Sequence, residues 1–403
     1  MDTIIEKCNN SEAIDTAAAI LKRGGLVAFP TETVYGLGGD ALDPSASRRI
    51  YAAKGRPSDN PLIVHIAEKK AVWELASEVP EAAVILMEAF WPGPLTIILP
   101  KKPIVPDETT GGLATVAIRM PSHPAAMEMI RRSGVYVAAP SANRSGRPSP
   151  TTAEHVAEDL TGEIDMILDG GPVGIGIEST IVDLTGDTPM ILRPGFITPE
   201  MLQAVVGPVE LDPSLIDLEK ETDGTAGPAP TEDQIGTSAP TEDRIGGQTP
   251  PEGDQTPCEG PAPDPAMQHP KAPGMRYTHY APHGTLSIVT DRDHPTEITE
   301  SVTSHILALA KEALEAGKET AVLTTGETAD AYGELAADPH FHRIELGDSD
   351  DGQTVAAHLY GALRTCDSLG CEVIYSESFR RDALGSAIMN RLIKAAGHRV
   401  ITV

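Results

Sequence analysis

Between Phe196 and Tyr277 this 403-residue chain contains no phenylalanine, tryptophan or tyrosine. Acidic residues and proline take their place. Residues 211–275 carry 13 acidic side chains against three basic ones, and residues 219–275 hold 11 of the 35 prolines. An imperfect repeat lies inside, Ala229-Pro-Thr-Glu-Asp-Gln-Ile-Gly236 followed by Ala239-Pro-Thr-Glu-Asp-Arg-Ile-Gly246. Such a segment cannot bury enough apolar surface to offset the entropy of ordering it. Its prolines keep it extended and semi-stiff. The expectation is therefore two globular domains, residues 1–210 and 276–403, joined by an acidic Pro-rich linker, 211–275, disordered in its middle.

Both flanking parts read as α/β. In the first, Ile14, Ala18 and Leu21 share a helical face that ends at Gly24-Gly25. Apolar runs at 26–29, 62–66, 95–99, 115–119, 135–139, 181–182 and 190–192 read as strands. Asp43-Pro44, Thr151 with Glu154, and Thr198-Pro199 read as helix starts. The second part repeats strand and helix: strands at 285–289, 320–323 and 372–375, helices at 298–316, 355–363 and 387–396. That order predicts a small, parallel, doubly wound, Rossmann-like domain. No G-x-G-x-x-G follows any of its strands, so a dinucleotide site has no support.

The formal charge of −28 excludes a generic basic coat for nucleic acid, so any polyanionic ligand needs a local cationic patch. No apolar run is long enough to span a membrane. The opening Met1-Asp2-Thr3-Ile4-Ile5-Glu6-Lys7 lacks the order of a signal peptide. A soluble cytoplasmic protein is expected. Cys8, Cys258, Cys366 and Cys371 form no C-x-x-C and are expected as free thiols. His279 and His283 stand four apart without an evident third ligand, so no metal site is expected.

Walker-type phosphate loops and G-x-S-x-G elbows are absent. The Gly-rich run 170–176 reads as a turn. Polar and basic residues instead cluster in Pro- and Gly-rich loops just past strands: 30–37, 54–62, 140–150, 176–180 and 193–195. In open α/β sheets, ligands bind at such places. Lys54, Arg56, Arg147 and Arg193 offer positive charge to a polyphosphate, and Ser141, Asn143, Ser149 and Ser179 offer neutral hydrogen bonds. Arg119, ending an apolar strand, can fork a carboxylate, although a lone strand arginine is more often satisfied in a salt bridge.

These residues sit in recognisable motifs: P-T-E-T-V-Y-G-L at 30–37, K-G-R at 54–56, N-P-L at 60–62, W-P-G-P-L-T at 91–96, A-I-R-M-P at 117–121, A-P-S-A-N at 139–143, S-P-T at 149–151, E-S-T at 178–180 and R-P-G at 193–195. Over about residues 12–205 the chain resembles the threonylcarbamoyl-AMP synthase family, with its YrdC-type catalytic domain. The run Ala272-Pro-Gly-Met-Arg-Tyr-Thr-His-Tyr-Ala-Pro282 looks like the opening of the extra C-terminal domain of the family's long form. The resemblance implies a YrdC-type twisted mixed sheet with helices, plus the smaller Rossmann-like parallel α/β domain. It also implies a nucleotidyltransferase that condenses L-threonine, bicarbonate and ATP to threonylcarbamoyl-AMP, releasing diphosphate. A tRNA threonylcarbamoyl-transfer enzyme would then place the group on the adenosine beside the anticodon of tRNAs reading codons that begin with A.

By the same resemblance, Lys54, Arg56, Ser141 and Asn143 form a catalytic polar tetrad. Thr31, His65, Arg119, Ala139 and Ser179 hold threonine, with Arg119 on its carboxylate. Arg56, Asn60, Thr115, Ser141, Ser149, Arg193 and Tyr277 contact ATP, with Tyr277 folding over the nucleotide from the second domain's lead-in. Mg2+ rides on the ATP phosphates. Two other readings compete. A nucleic-acid-binding module is disfavoured by charge, so tRNA contact is expected to be weak or indirect. A related carbamoyltransferase would need acylphosphatase-like and zinc-finger segments, and neither is visible.

Overall fold

The computed structural model describes residues 2–215, 270–273, 279–295, 297–379 and 384–403. The N-terminal unit runs β1 (Ile4–Lys7), α1 (Ser11–Lys22), β2 (Val27–Phe29), β3 (Gly36–Asp40), α2 (Pro44–Lys54), β4 (Ile63–His65), α3 (Val72–Leu75), α4 (Glu81–Phe90), β5 (Leu95–Pro100), α5 (Asp107–Thr110), β6 (Thr115–Arg119), α6 (Pro124–Ser133), β7 (Val137–Ala139), α7 (Ala153–Leu160), β8 (Met166–Asp169), β9 (Thr180–Asp183), β10 (Met190–Arg193), α8 (Pro199–Val206) and β11 (Glu210–Leu211). Its strands form one mixed sheet of order β1-β8-β2-β3-β7-β4-β6-β5-β9-β10-β11. The C-terminal unit runs β12 (Thr285–Thr290), α9 (Glu300–Glu315), β13 (Thr320–Thr324), β14 (Phe341–Glu345), α10 (Gly352–Ser368), β15 (Val373–Glu377), α11 (Gly385–Ala395) and β16 (Val400–Thr402). All pairings in its sheet, β14-β13-β15-β12-β16, are parallel. No described helix is long and apolar enough to cross a membrane.

Local chemistry explains the elements near the site. Asp43 caps α2 by accepting from the Ser45 amide, and Pro44 occupies the first turn. Gly55 ends the helix in the left-handed region at φ 59°, which turns Arg56 back over the sheet. One expectation shifts by a residue: Thr152, not Thr151, caps α7 by accepting from the His155 amide. Thr151 instead meets the His155 ring, with its hydroxyl 3.3 Å from Nδ1.

The two units do not behave as beads on a string. One buried apolar cluster runs from Leu26, Val64 and Ile118 through Leu359, Leu363 and Leu392 of the second unit. Arg364 of α10 is buried against α7, donating to Asp159 at 2.7 Å and to the Pro148 carbonyl at 2.7 Å. Most of the expected linker, and the disorder expected in its middle, lie outside the described residues. At its described ends Pro213, Ser214 and Lys271 are exposed, whereas Ala272 is fully buried among Ile63, Ile98, Ala117, Ile181 and Leu192. The loop 170–176 is a turn against the second unit. Gly176 has φ +83°, and a Cβ there would lie 2.4 Å from the Ala356 carbonyl oxygen of α10. Gly176→Ala is expected to lower unfolding stability by roughly 1–3 kcal/mol through strain and overpacking. Denaturant unfolding measures this, and an unchanged midpoint contradicts the packing described.

Candidate active site

A cleft opens over one face of the central strands β7, β4 and β6. Register explains how. Ile63 pairs with Ala139 and Ala117, and His65 pairs with Arg119, so Ile63, His65, Ala139 and Arg119 share a face. Strand-end loops were the expected location, and they supply the rim. The loop after β2 brings Thr31 and Thr33, the end of α2 brings Lys54 and Arg56, and the loop after β7 brings Ser141 and Asn143. Ser179 precedes β9, and Arg193 closes β10.

Lys54 is buried, and its Nζ donates to the carbonyls of Ser141 and Asn143 and, at 3.3 Å, to Asn143 Oδ1. Burial and the neighbouring Arg56 push its pKa well below the ordinary lysine value. Ser141 Oγ donates to Asn143 Oδ1 at 2.5 Å, and the Asn143 amide donates to the Arg144 and Arg147 carbonyls, each at 2.8 Å. Lys54 and Asn143 thus fix the 141–147 loop from both sides. Arg56 donates to the Pro61 carbonyl at 3.2 Å, and burial brings its pKa down to about 10.

Arg119 donates from Nε to Gly93 O at 3.3 Å, from Nη1 to Thr33 Oγ1 at 2.9 Å and from Nη2 to Glu32 Oε1 at 2.7 Å. Burial would raise the Glu32 carboxyl, but Arg119 holds it below the usual carboxylate value. These contacts use three of the five guanidinium N–H groups, leaving two for a ligand. Thr31 Oγ1 lies 2.9 Å from Thr33 Oγ1 and donates to Val34 O at 2.6 Å. His65 packs edge-on to Phe29, with Nδ1 3.1 Å from Ile63 O.

Burial, then Arg119, lowers the His65 pKa from 6.5 to about 3. Between those values the unfolded chain takes up a proton that the folded chain refuses, so stability falls as the pH drops through that window. His65→Gln is expected to flatten this part of the acid loss. Melting curves of both chains from about pH 7 to about pH 4 check it; parallel slopes contradict the assignment.

Arg193 donates to Ser179 O at 3.1 Å, Ser179 Oγ at 3.2 Å and Pro273 O at 3.2 Å. Ser179 Oγ also lies 2.8 Å from Thr96 Oγ1. Among the described residues, Glu178 is the one carboxylate in the lining. Burial would push it up, but Arg391 and Arg193 hold it down at about 2.

Ten of the residues singled out in the sequence line this cleft: Lys54, Arg56, Ser141, Asn143, Thr31, His65, Arg119, Ala139, Ser179 and Arg193. Four others, Asn60, Thr115, Ser149 and Arg147, do not. Asn60 stands behind Arg56, its carbonyl facing that guanidinium at 3.4 Å. Thr115 opens β6 opposite Pro100, at the far end of the strand from Arg119. Ser149 is fully buried, with its hydroxyl donating to Glu178 at 2.6 Å. Arg147 is spent elsewhere, on Asp159 and Asp367. Tyr277 lies outside the described residues. His279 and Tyr280 reach the lining instead. The Tyr280 ring stacks at 5.1 Å, tilted, on Tyr360. The aromatic run R-Y-T-H-Y carried that signal but could not say which ring enters. No group of three or more His, Cys, Asp or Glu suited to a metal occurs among the described residues.

Comparison with known proteins places the chain in a family. The Sua5/YciO/YrdC family, described as "Telomere recombination", matches residues 19–195, and the family "Threonylcarbamoyl-AMP synthase, C-terminal domain" matches residues 197–397. The chain is similar to the threonylcarbamoyl-AMP synthase of Bacillus subtilis, with 44% identity covering 100% of this chain and 98% of the relative. It is 41% identical to that of Pyrococcus abyssi, covering 97% of this chain and 96% of the relative. The crystal structure of P. abyssi Sua5 complexed with L-threonine superposes with a TM-score of 0.78 at 40% identity, covering 100% of this chain and 99% of that one.

Proposed function

Because this chain belongs to the threonylcarbamoyl-AMP synthase family, we propose that it condenses L-threonine, bicarbonate and ATP to threonylcarbamoyl-AMP and releases diphosphate. One observation carries the reading: among the described residues, four buried or half-buried cations, Lys54, Arg56, Arg119 and Arg193, line a single cleft against one carboxylate. Bicarbonate and the threonine amine form a carbamate with loss of water. A carbamate oxygen then attacks the α-phosphorus, the bond to the bridging oxygen breaks, and diphosphate leaves with that electron pair. Such a transfer needs positioning and charge stabilisation more than a protein nucleophile. The lining suits that demand, since no hydroxyl in it is hydrogen-bonded to a histidine among the described contacts.

The roles proposed here are those that the resemblance implies, and the grouping of these side chains in one cleft supports them. The two remaining N–H groups of Arg119 fit the threonine carboxylate, beside Thr31, His65, Ala139 and Ser179. Arg56 and Arg193 fit the triphosphate, with Ser141 and Asn143 as neutral donors on the loop that Lys54 holds. Asn60, through Arg56, and Ser149, through Glu178, support this end from outside the lining, and Thr115 at the start of β6 is kept as an ATP contact on the resemblance alone. His279 and Tyr280 cover the cleft and keep water from the mixed anhydride.

The donor set does not fit a resident divalent cation. Glu178 is taken by Arg391, Tyr360 and Ser149, and Glu32 by Arg119. Mg2+ enters on the phosphates as part of the nucleotide substrate, and no step passes through a protein-held metal. The product goes to a separate tRNA threonylcarbamoyl-transfer enzyme, and the charge of −28 disfavours broad contact with tRNA by this chain.

Diphosphate release from the purified full chain is the test. Release is expected only with ATP, threonine and bicarbonate together; release from ATP alone contradicts the proposal.

A further inference from the structure

Glu178 lies in the cleft wall, yet two of the three described hydrogen-bond partners of its carboxylate, Tyr360 and Arg391, come from the other unit. Its carboxylate accepts from Ser149 Oγ at 2.6 Å, from Tyr360 of α10 at 3.0 and 2.9 Å, and from Arg391 Nε of α11 at 3.1 Å. Arg391 is fully buried. Its guanidinium also donates to the carbonyl of Glu178 at 3.3 Å and to that of Pro194. One side chain thus ties together the E-S-T turn before β9 and the R-P-G turn after β10, the two turns that carry Ser179 and Arg193. Gly195 allows their close approach: a Cβ there would sit 2.8 Å from Glu178 O and 2.6 Å from Thr180 N.

Arg193 stands next to this carboxylate, but its described hydrogen bonds go to neutral acceptors, Ser179 and Pro273. A buried carboxylate without a partner is costly and draws in the nearest cation. An arginine forked onto a carboxylate has fewer donors for phosphate. We propose that Arg391 is a positioning residue for the nucleotide end of the cleft: with Tyr360 it occupies Glu178, so that Arg193 stays available to the triphosphate. The second unit thereby completes the electrostatics of a site whose lining comes mainly from the first. A fastening role alone does not require this placement, because Arg364 and Asp159 already join the units through a buried pair. The inference rests on the reading of Arg193 as an ATP contact.

The test uses the full chain and its Arg391→Met, Arg391→Lys and Arg391→Met/Glu178→Gln variants. Calorimetry with a non-hydrolysable ATP analogue gives nucleotide affinity, and steady-state kinetics give the threonine KM. Arg391→Met is expected to weaken analogue binding by about 10- to 100-fold and to leave the threonine KM within about threefold. Arg391→Lys keeps the charge without the fork and recovers part of the loss. The double variant leaves no orphaned charge, and its analogue affinity is expected to return to within about threefold of the parent. Should Arg391→Met fail to fold, the double variant decides alone. Equal weakening of both substrates by Arg391→Met, or a double variant that still binds the analogue about tenfold or more weakly than the parent, overturns the proposal. A parent chain that does not bind the analogue overturns the Arg193 reading along with it. A parent that binds the analogue, yet releases no diphosphate with all substrates, overturns the reaction alone.

Discussion

Arg119→Ala raises the threonine KM by at least about 100-fold, and the ATP KM stays within about threefold. The expectation comes from how the guanidinium is divided. Three N–H groups are engaged by Gly93, Thr33 and Glu32, and the side chain is part of the cleft lining. A forked, desolvated arginine–carboxylate contact is among the stronger polar contacts a protein makes. Its loss also leaves the half-buried Glu32 without its cation, with the Ser122 amide as its other described partner, which costs up to roughly 3–5 kcal/mol. Stability therefore falls as well, and the Arg119→Ala/Glu32→Gln variant separates the two effects. A threonine KM that stays high in the double variant assigns Arg119 to the ligand. Recovery would mean that Arg119 only holds the 30–34 loop.

Lys54→Met lowers kcat by about 10³-fold, with a much smaller change in the ATP KM. All three Nζ donors are engaged on Ser141 and Asn143, so the charge sits beneath the loop that presents those two residues. Misplacement by about an ångström is enough to cost a large part of a pre-organised site's rate. Methionine keeps the length and apolar stem but donates nothing. Arginine brings a planar group where the buried site holds a compact ammonium, so Lys54→Arg is not expected to rescue. A kcat within about tenfold of the parent would contradict this use of Lys54.

What the sequence allowed and what it hid have physical reasons. Apolar runs such as 26–29, 95–99 and 115–119 are buried strands, and their periodicity is legible. β1 is not, because all four of its residues are exposed. β3, Gly36-Leu-Gly-Gly-Asp40, has no strand-forming composition and reads as loop; it is held by its neighbours β2 and β7. β14 and β16 are short edge strands of the second sheet that local pattern misses. For the site, the motifs identified residues that do converge, Lys54 with Asn143 and Ser179 with Arg193. They could not show that Asn60, Thr115 and Ser149 stand outside the lining, nor that Arg147 is held by Asp159. Nor could spacing reveal the contact of Glu178 with Tyr360 and Arg391, some two hundred residues downstream.

The shared core also constrains how the cleft is covered. Leu359, Leu363 and Leu392 pack in one cluster with residues of the first sheet. Swinging the whole second unit away would expose that cluster to water. Among the described residues of the lead-in, Pro273, His279 and Tyr280 line the cleft.

The most direct test is to incubate the purified full chain with ATP, threonine and isotopically labelled bicarbonate and to identify the nucleotide product by mass spectrometry. A threonylcarbamoyl-adenylate carrying the label, formed together with diphosphate, is the result expected of a cationic cleft that steadies ATP for attack by a carbamate. Unchanged ATP, or AMP without the labelled acyl group at any time point, would contradict it.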